Sequence, residues 1–314
     1  MRITTSVMVA ALLALGGRYA ATSTSATNVE QAPTDPLPAT CNPFGALATV
    51  RPVDQSCGLQ GSPAGTSGQK AQDRVKNNLC AFQDRAPAPV TRRTFDRLQT
   101  LTPSKAALPW GTRTNIPASD AARAPLQGLY TTTEGDTVGE GAYVEFVAFI
   151  LEGHFGGAES VNCDLTTRQN VDVHLALVTN KPSTLDLTND DTECSSITAE
   201  ITGHRRPIDW EFLGRMTSAV PGQKLIAAQR KLGDEDLKRP VRVRGQLMFD
   251  ASHGLCDRNG HRTASNPARR AGWEIHPVYA IDVCHASTLA TCTVDNPARW
   301  TPLDQFLQVG PDSD

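Results

Sequence analysis

Between Tyr143 and Cys284 the chain carries five β-forming runs with one helix signal among them. That order constrains the fold more than any other feature of the sequence. Tyr143–Leu151 (YVEFVAFIL) is rich in aromatic and β-branched residues. The next runs alternate with a period of two, the mark of strands that are buried on one face. Val171–Val178 puts Val173, Leu175 and Leu177 inward and Asp172 and His174 outward. Ser195–Thr202 puts Ile197, Ala199 and Ile201 inward and Ser196, Thr198 and Glu200 outward. Pro207 then opens a helix carrying Trp210, Leu213 and Met216. Val241–Asp250 turns Val241, Val243, Leu247 and Phe249 inward and Arg242, Arg244, Gln246 and Asp250 outward. Trp273–Cys284 turns Trp273, Ile275, Tyr279, Ile281 and Val283 inward and Glu274, His276 and Asp282 outward. Pro277 implies an edge or a bulge in this last strand, and a bulge would change the faces of Tyr279 and Ile281. Three strands, a helix and two strands is the order of a five-stranded OB-type barrel, although other small antiparallel sheets share it. The expected class is mainly β with a small α content.

The remaining segments divide by texture. Residues 1–26 read as a signal peptide: Arg2, an apolar run Val7–Leu15, then small residues with candidate cleavage sites at Arg18–Ala20 and Thr24–Ala26. The run is too short to span a bilayer, and no cysteine closes it, so the expected product is secreted or periplasmic, with neither a lipid anchor nor a membrane span. Residues 27–56 read as an irregular linker. Residues 57–140 read as an N-terminal helical segment and connector, with one helix in 71–84 (Val75, Leu79, Phe82) and another in 94–101 (Phe95, Leu98, Leu101) capped by Thr94. The barrel is expected over 141–285 and a C-terminal tail over 286–314.

Export makes the eight cysteines readable as disulfides. No CxxC or Cys–His spacing favours a metal–thiolate site. Cys57–Cys80, Cys163–Cys256 and Cys284–Cys292 are the expected pairs, with Cys41 and Cys194 left to pair or stay free. Cys256–Cys284 is disfavoured, because a strand of this length separates the two by roughly 35 Å.

Four strings occur together: KNNLC at 76–80, ECSSITAEIT at 193–202, VRVRGQLMFDASH at 241–253 and WEIHPVYAIDVC at 273–284. They resemble a group of secreted bacterial proteins of no established activity, in which a WEIHPV strand closes a small OB-like barrel. The resemblance implies the fold and the exported location and supplies no function.

In an OB-type barrel the third strand lies between the second and the fifth. Asp172, His174, Glu200, Glu274 and His276 would then crowd one outer face. His174, Glu200 and His276 form a ligand set for a divalent ion such as zinc, and Asp172 or Glu274 could act as base. The same alternation is what any sheet with one wet face shows. Arg242 and Arg244, within a run of basic residues between Lys238 and Gly272, could hold an anionic ligand, with His253 joining from the rim. A formal net charge of −3 and 5% aromatic residues argue against nucleic acid as the partner. No GxSxG, HExxH, P-loop or GxGxxG occurs, and Gly153–Glu159 reads as a flexible loop. The reading that follows is a binding module for an extracellular saccharide or anionic ligand on the outer barrel face. A metal-assisted hydrolase is the alternative, and a structural envelope protein the third.

Overall fold

The alternating runs curl until the first strand meets the fourth. The structure, a computed structural model, describes residues 35–309 apart from 39, 84, 107–115, 182–184, 186–189, 216–238, 258 and 263–267. The expected leader, Met216 and Lys238 lie outside the described residues. The strands are β1 (Ala88–Val90), β2 (Tyr130–Thr131), β3 (Thr137–Val138), β4 (Tyr143–Phe155), β5 (Val173–Val178), β6 (Ile197–Ile201), β7 (Val241–Phe249), β8 (Trp273–Cys284) and β9 (Trp300–Pro302). β4 pairs antiparallel with both β5 and β7, β5 with β6, and β7 with β8. β6 meets β8 in parallel at Ala199↔Ile275. The circuit β4-β5-β6-β8-β7-β4 is a closed five-stranded barrel of OB-type order.

The inward residues expected on β5, β6 and β7 fill the barrel core, joined by Val144, Phe146, Ala148 and Ile150 of β4. Each buried Val, Leu, Ile or Phe side chain among them contributes about 1.5–3 kcal/mol. β8 departs from simple alternation. The His276–Pro277 peptide is cis, and the register with β7 slips on both sides of Gly245. Val278 therefore takes the core position expected for Tyr279. Tyr279 turns outward onto Tyr143, and its hydroxyl donates to the Asn78 carbonyl at 2.5 Å. Ile281 stays in the core, because the second slip restores the alternation.

Among the described residues, four α-helices precede the barrel: α1 (Pro52–Ser56), α2 (Ser67–Lys76), α3 (Arg92–Ala106) and α4 (Asp120–Arg123). α2 starts earlier than expected, where Thr66 and Gln69 cap each other's backbone amides, and it stops at Lys76. Leu79 and Phe82 lie beyond it and pack beside Tyr143 and Tyr279. α3 also starts earlier. The Thr94 hydroxyl takes the Thr91 amide, so Thr94 sits inside the first turn rather than before it. Phe95 and Leu98 of α3 pack into the barrel core, and Trp273 Nε1 donates to Thr102 Oγ1 at 2.8 Å. After Pro207 the chain forms a 3-10 helix, Ile208–Gly214, which still buries Trp210 and Leu213.

The disulfides are Cys41–Cys80, Cys57–Cys163, Cys194–Cys256 and Cys284–Cys292. Only the last matches the expected pairing; Cys57–Cys80 and Cys163–Cys256 do not form. α2 lies between Cys57 and Cys80 and carries them apart. Cys57 instead meets the turn after β4, and Cys256 meets the turn before β6. No helix among the described residues is long and apolar enough to cross a membrane.

Candidate functional site

The outward residues of β4, β5, β6 and β8 line up because of register. His154 lies opposite His174, His174 opposite Glu200, and the Ala199↔Ile275 pairing sets His276 beside Glu200. Asp172 precedes β5 on the same face, and Glu274 lies two residues before His276. The five outward acidic and imidazole residues read from the alternation therefore converge.

This face is not open to water. α2 crosses it with an inverted pattern, burying Gln72, Asp73 and Lys76. Lys76 Nζ lies 3.3 Å from Glu159 Oε2 and 3.7 Å from Glu200 Oε2. His276 Nδ1 lies 2.8 Å from Glu200 Oε2 and 3.3 Å from Glu274 Oε1, and its Nε2 lies 3.6 Å from Asp172 Oδ2. Arg269, without solvent exposure, joins Glu274 at 2.8 Å to Asp250 at 3.0 Å. Asp250 also accepts from Gln72 Nε2 at 3.0 Å and pairs with His253 Nδ1 at 2.6 Å. Charges so far from water persist only when paired and hydrogen-bonded.

The pairing sets the protonation of the cluster. Burial opposes ionisation of Glu200, but His174, Lys76 and His276 outweigh it and hold the carboxyl well below its usual range. Burial likewise opposes the His276 cation, and Glu200 overcomes it, lifting the imidazole to about 10. Glu274 moves the other way: burial, then the Glu200 and Asp250 charges, raise it. Burial lifts Asp73 to about 7. Asp250 is held well below its usual range, because His253 and Arg269 outweigh burial, and Asp250 in turn raises His253. Such a set of displaced groups beside a cleft marks a candidate functional site.

The cleft is a cavity of about 460 Å³ beside α2, lined among others by Glu152, His154, Glu159, His174, Thr198 and His253. Its wall includes Phe155–Glu159, most of the Gly153–Glu159 stretch expected to be a flexible loop. That stretch begins as the end of β4 and ends in a 3-10 turn, Ser160–Asn162. Gly156 is required there, since a Cβ would lie 2.7 Å from His174 Nε2. The His174 side chain is 10% exposed; its Nδ1 lies 3.4 Å from Glu200 Oε1 and its Nε2 lies 3.8 Å from Glu159 Oε1. Glu200, His276, Asp172 and Glu274 sit behind it and do not line the cavity.

Arg242 and Arg244 are elsewhere. Both pair with Asp282 at 2.9 Å, and Arg242 also faces Glu145 at 3.8 Å and stacks on Trp300. Arg262 pairs with Glu193 and Arg270 with Asp96. With Arg269 buried, the basic run between Lys238 and Gly272 does not form one free cationic face among the described residues. His253 does reach the cavity. Asp73, Lys76, Glu159, His154, Asp250 and Arg269 belong to the cluster and were not singled out from the sequence. Only Asp250, on the outward face of its strand three residues before His253, carried a usable local signal. Comparisons with protein-family models, curated proteins and solved structures give no match, so the reading of this site rests on its own residues.

Proposed function

We propose that the chain is an exported binding protein whose outer barrel face takes a hydroxyl-rich ligand of the saccharide class in the cavity above His174. The cavity itself carries the reading. About 460 Å³ lies in the range of small-molecule sites, and the lining offers carboxylates, imidazoles, the Ser196 and Thr198 hydroxyls and the Phe155 ring. Carboxylates and imidazoles suit neighbouring hydroxyl groups. The described lining cations are already paired, Arg262 with Glu193 and His253 with Asp250, as Arg242 and Arg244 are with Asp282, which disfavours an anion. The apolar N-terminal run and four disulfides support an oxidising compartment.

Calorimetric titration with neutral mono- to tetrasaccharides tests this. Binding should weaken at least about tenfold in Glu159→Gln and Thr198→Val and change little with salt. If only sulfated glycans bind, and salt or Arg242→Ala abolishes that binding, the ligand is anionic and the cavity reading fails.

One observation favours turnover as a second reading: His174 is oriented at Nδ1 by Glu200, and its Nε2 has no hydrogen-bond partner among the described residues. Release of new reducing ends from a bound oligosaccharide, lost in His174→Ala while binding persists, would establish a hydrolase.

A further inference from the structure

Asp172, Glu200 and His276 each offer one ligand atom within 4.8 Å of the other two. Glu200 and His276 come from β6 and β8 and Asp172 from the residue just before β5, and all three are buried to 2% exposure or less. Proximity alone would not distinguish this trio from any ion-paired cluster; the way each side chain is held does.

Asp172 Oδ1 accepts the Gly203 N–H at 3.0 Å, and its Oδ2 has no hydrogen-bond partner among the described residues. His276 Nδ1 is hydrogen-bonded to Glu274 Oε1 at 3.3 Å, and the other Glu274 oxygen is fixed by Arg269 at 2.8 Å. His276 Nε2 has no hydrogen-bond partner among the described residues. Glu200 Oε1 faces His174 at 3.4 Å, and Glu200 Oε2 lies 2.8 Å from His276 Nδ1 and 3.7 Å from Lys76 Nζ, neither of them an aligned donor. Asp172 and His276 are thus each anchored by one atom and present the other to the same small volume, which Glu200 borders.

The separation from His276 Nε2 to Asp172 Oδ2 is 3.6 Å, too long for a hydrogen bond. It is close to the ~3.4 Å between two tetrahedral ligands bonded to one ion at about 2.0–2.1 Å. A histidine whose far nitrogen is held by a carboxylate, itself held by an arginine, is the arrangement that orients imidazoles on metals.

We infer that Asp172, Glu200 and His276 form a binding site for a first-row divalent metal ion, one layer behind the saccharide cavity. The donor set is one nitrogen and two carboxylates. Every described cysteine is in a disulfide, so zinc or manganese suits the site better than a thiophilic ion. Lys76 Nζ, 3.7 Å from Glu200 Oε2, keeps the nearer Glu159 when the ion takes Glu200. His174 remains at the cavity wall and is not a ligand. The inference goes beyond the saccharide reading and does not depend on it.

Untagged full-length protein, stripped with EDTA, is titrated with Zn²⁺ and with Co²⁺ in the absence of saccharide. One ion per chain is expected, with the visible ligand-field absorption of a low-coordinate cobalt(II) centre and a higher melting temperature. Asp172→Asn and Glu200→Gln should each weaken Zn²⁺ binding at least 100-fold, and Glu274→Gln about 10- to 100-fold. His261→Ala, at the exposed His261–Asp191 pair, should leave binding unchanged. If a ligand variant fails to fold, the cobalt spectrum and thermal shift of the wild-type protein decide. Sub-stoichiometric binding, an octahedral aqua-like cobalt spectrum, or binding that survives Asp172→Asn or is lost in His261→Ala overturns the assignment.

Discussion

Asp73→Asn should make the protein more stable in alkali while leaving it nearly unchanged at about pH 4. The buried Asp73 carboxyl of α2 faces Ser160, whose hydroxyl donates to Oδ1 at 3.2 Å; Oδ2 has no hydrogen-bond partner among the described residues. Burial raises its pKa from 3.8 to about 7; Lys76 and Ser160 oppose the rise, and the Glu159 and Asp172 charges add to it. A carboxyl with its folded pKa above its unfolded one contributes stability that is complete below pH 3.8 and is lost as pH rises through about 7. At about 1.36 kcal/mol per pH unit, the gap corresponds to roughly 4 kcal/mol as an upper bound. Asparagine keeps the shape, can still accept from Ser160 and never ionises. In EDTA with disulfides intact, urea unfolding at about pH 4 should give wild type and variant within about 1 kcal/mol. At about pH 9 the variant should gain up to roughly 4 kcal/mol, a midpoint shift of about 2 M for a slope near 2 kcal/mol per molar. Comparing the two proteins cancels the other groups that titrate over the same range. An equal midpoint difference at both pH values, or a wild type that is the more stable in alkali, would refute this account of Asp73.

Arg269→Met leaves the buried Asp250 and Glu274 carboxyls without their shared cation and should cost about 3–5 kcal/mol in the same unfolding assay. Removing Cys57–Cys163, which spans 106 residues, should cost about 5 kcal/mol, against about 2.5 kcal/mol for Cys284–Cys292, which spans 8. Equal losses from the paired Cys→Ser variants would show that loop closure does not govern these bonds. Gly61→Ala should lower stability by about 2 kcal/mol or more, because φ is +65° and a Cβ would lie 2.3 Å from the Ser160 carbonyl. A near-neutral result, read by thermal melting, would mean that the Ser160 turn yields.

Much of the barrel was legible because strand alternation is local. Val173, Leu175 and Leu177 against Asp172 and His174 need only a period of two, and four such runs with the β-rich Tyr143–Leu151 around one helix signal admit few layouts. Cys284–Cys292 was legible for the same reason, since its loop is short. Tyr279 was misplaced because two slips about Gly245 belong to the β7–β8 pair and not to β8 alone. The site divides in the same way. Alternation put Asp172, His174, Glu200, Glu274 and His276 on one outer face, and the strand order brought them together. Alternation reports which face a residue takes but is silent on what packs against that face. α2 arrives there through capping by Thr66 and burial of Asp73 and Lys76, a polar pattern that mimics a solvent face. Glu159 comes from a loop, Arg269 from the approach to β8, and Arg242 and Arg244 find Asp282 across a strand pair. Ion pairs and disulfides join residues far apart in the chain, so the sequence alone determined the barrel and its polar face. The tertiary structure alone decided that this face is roofed, charged and largely dry.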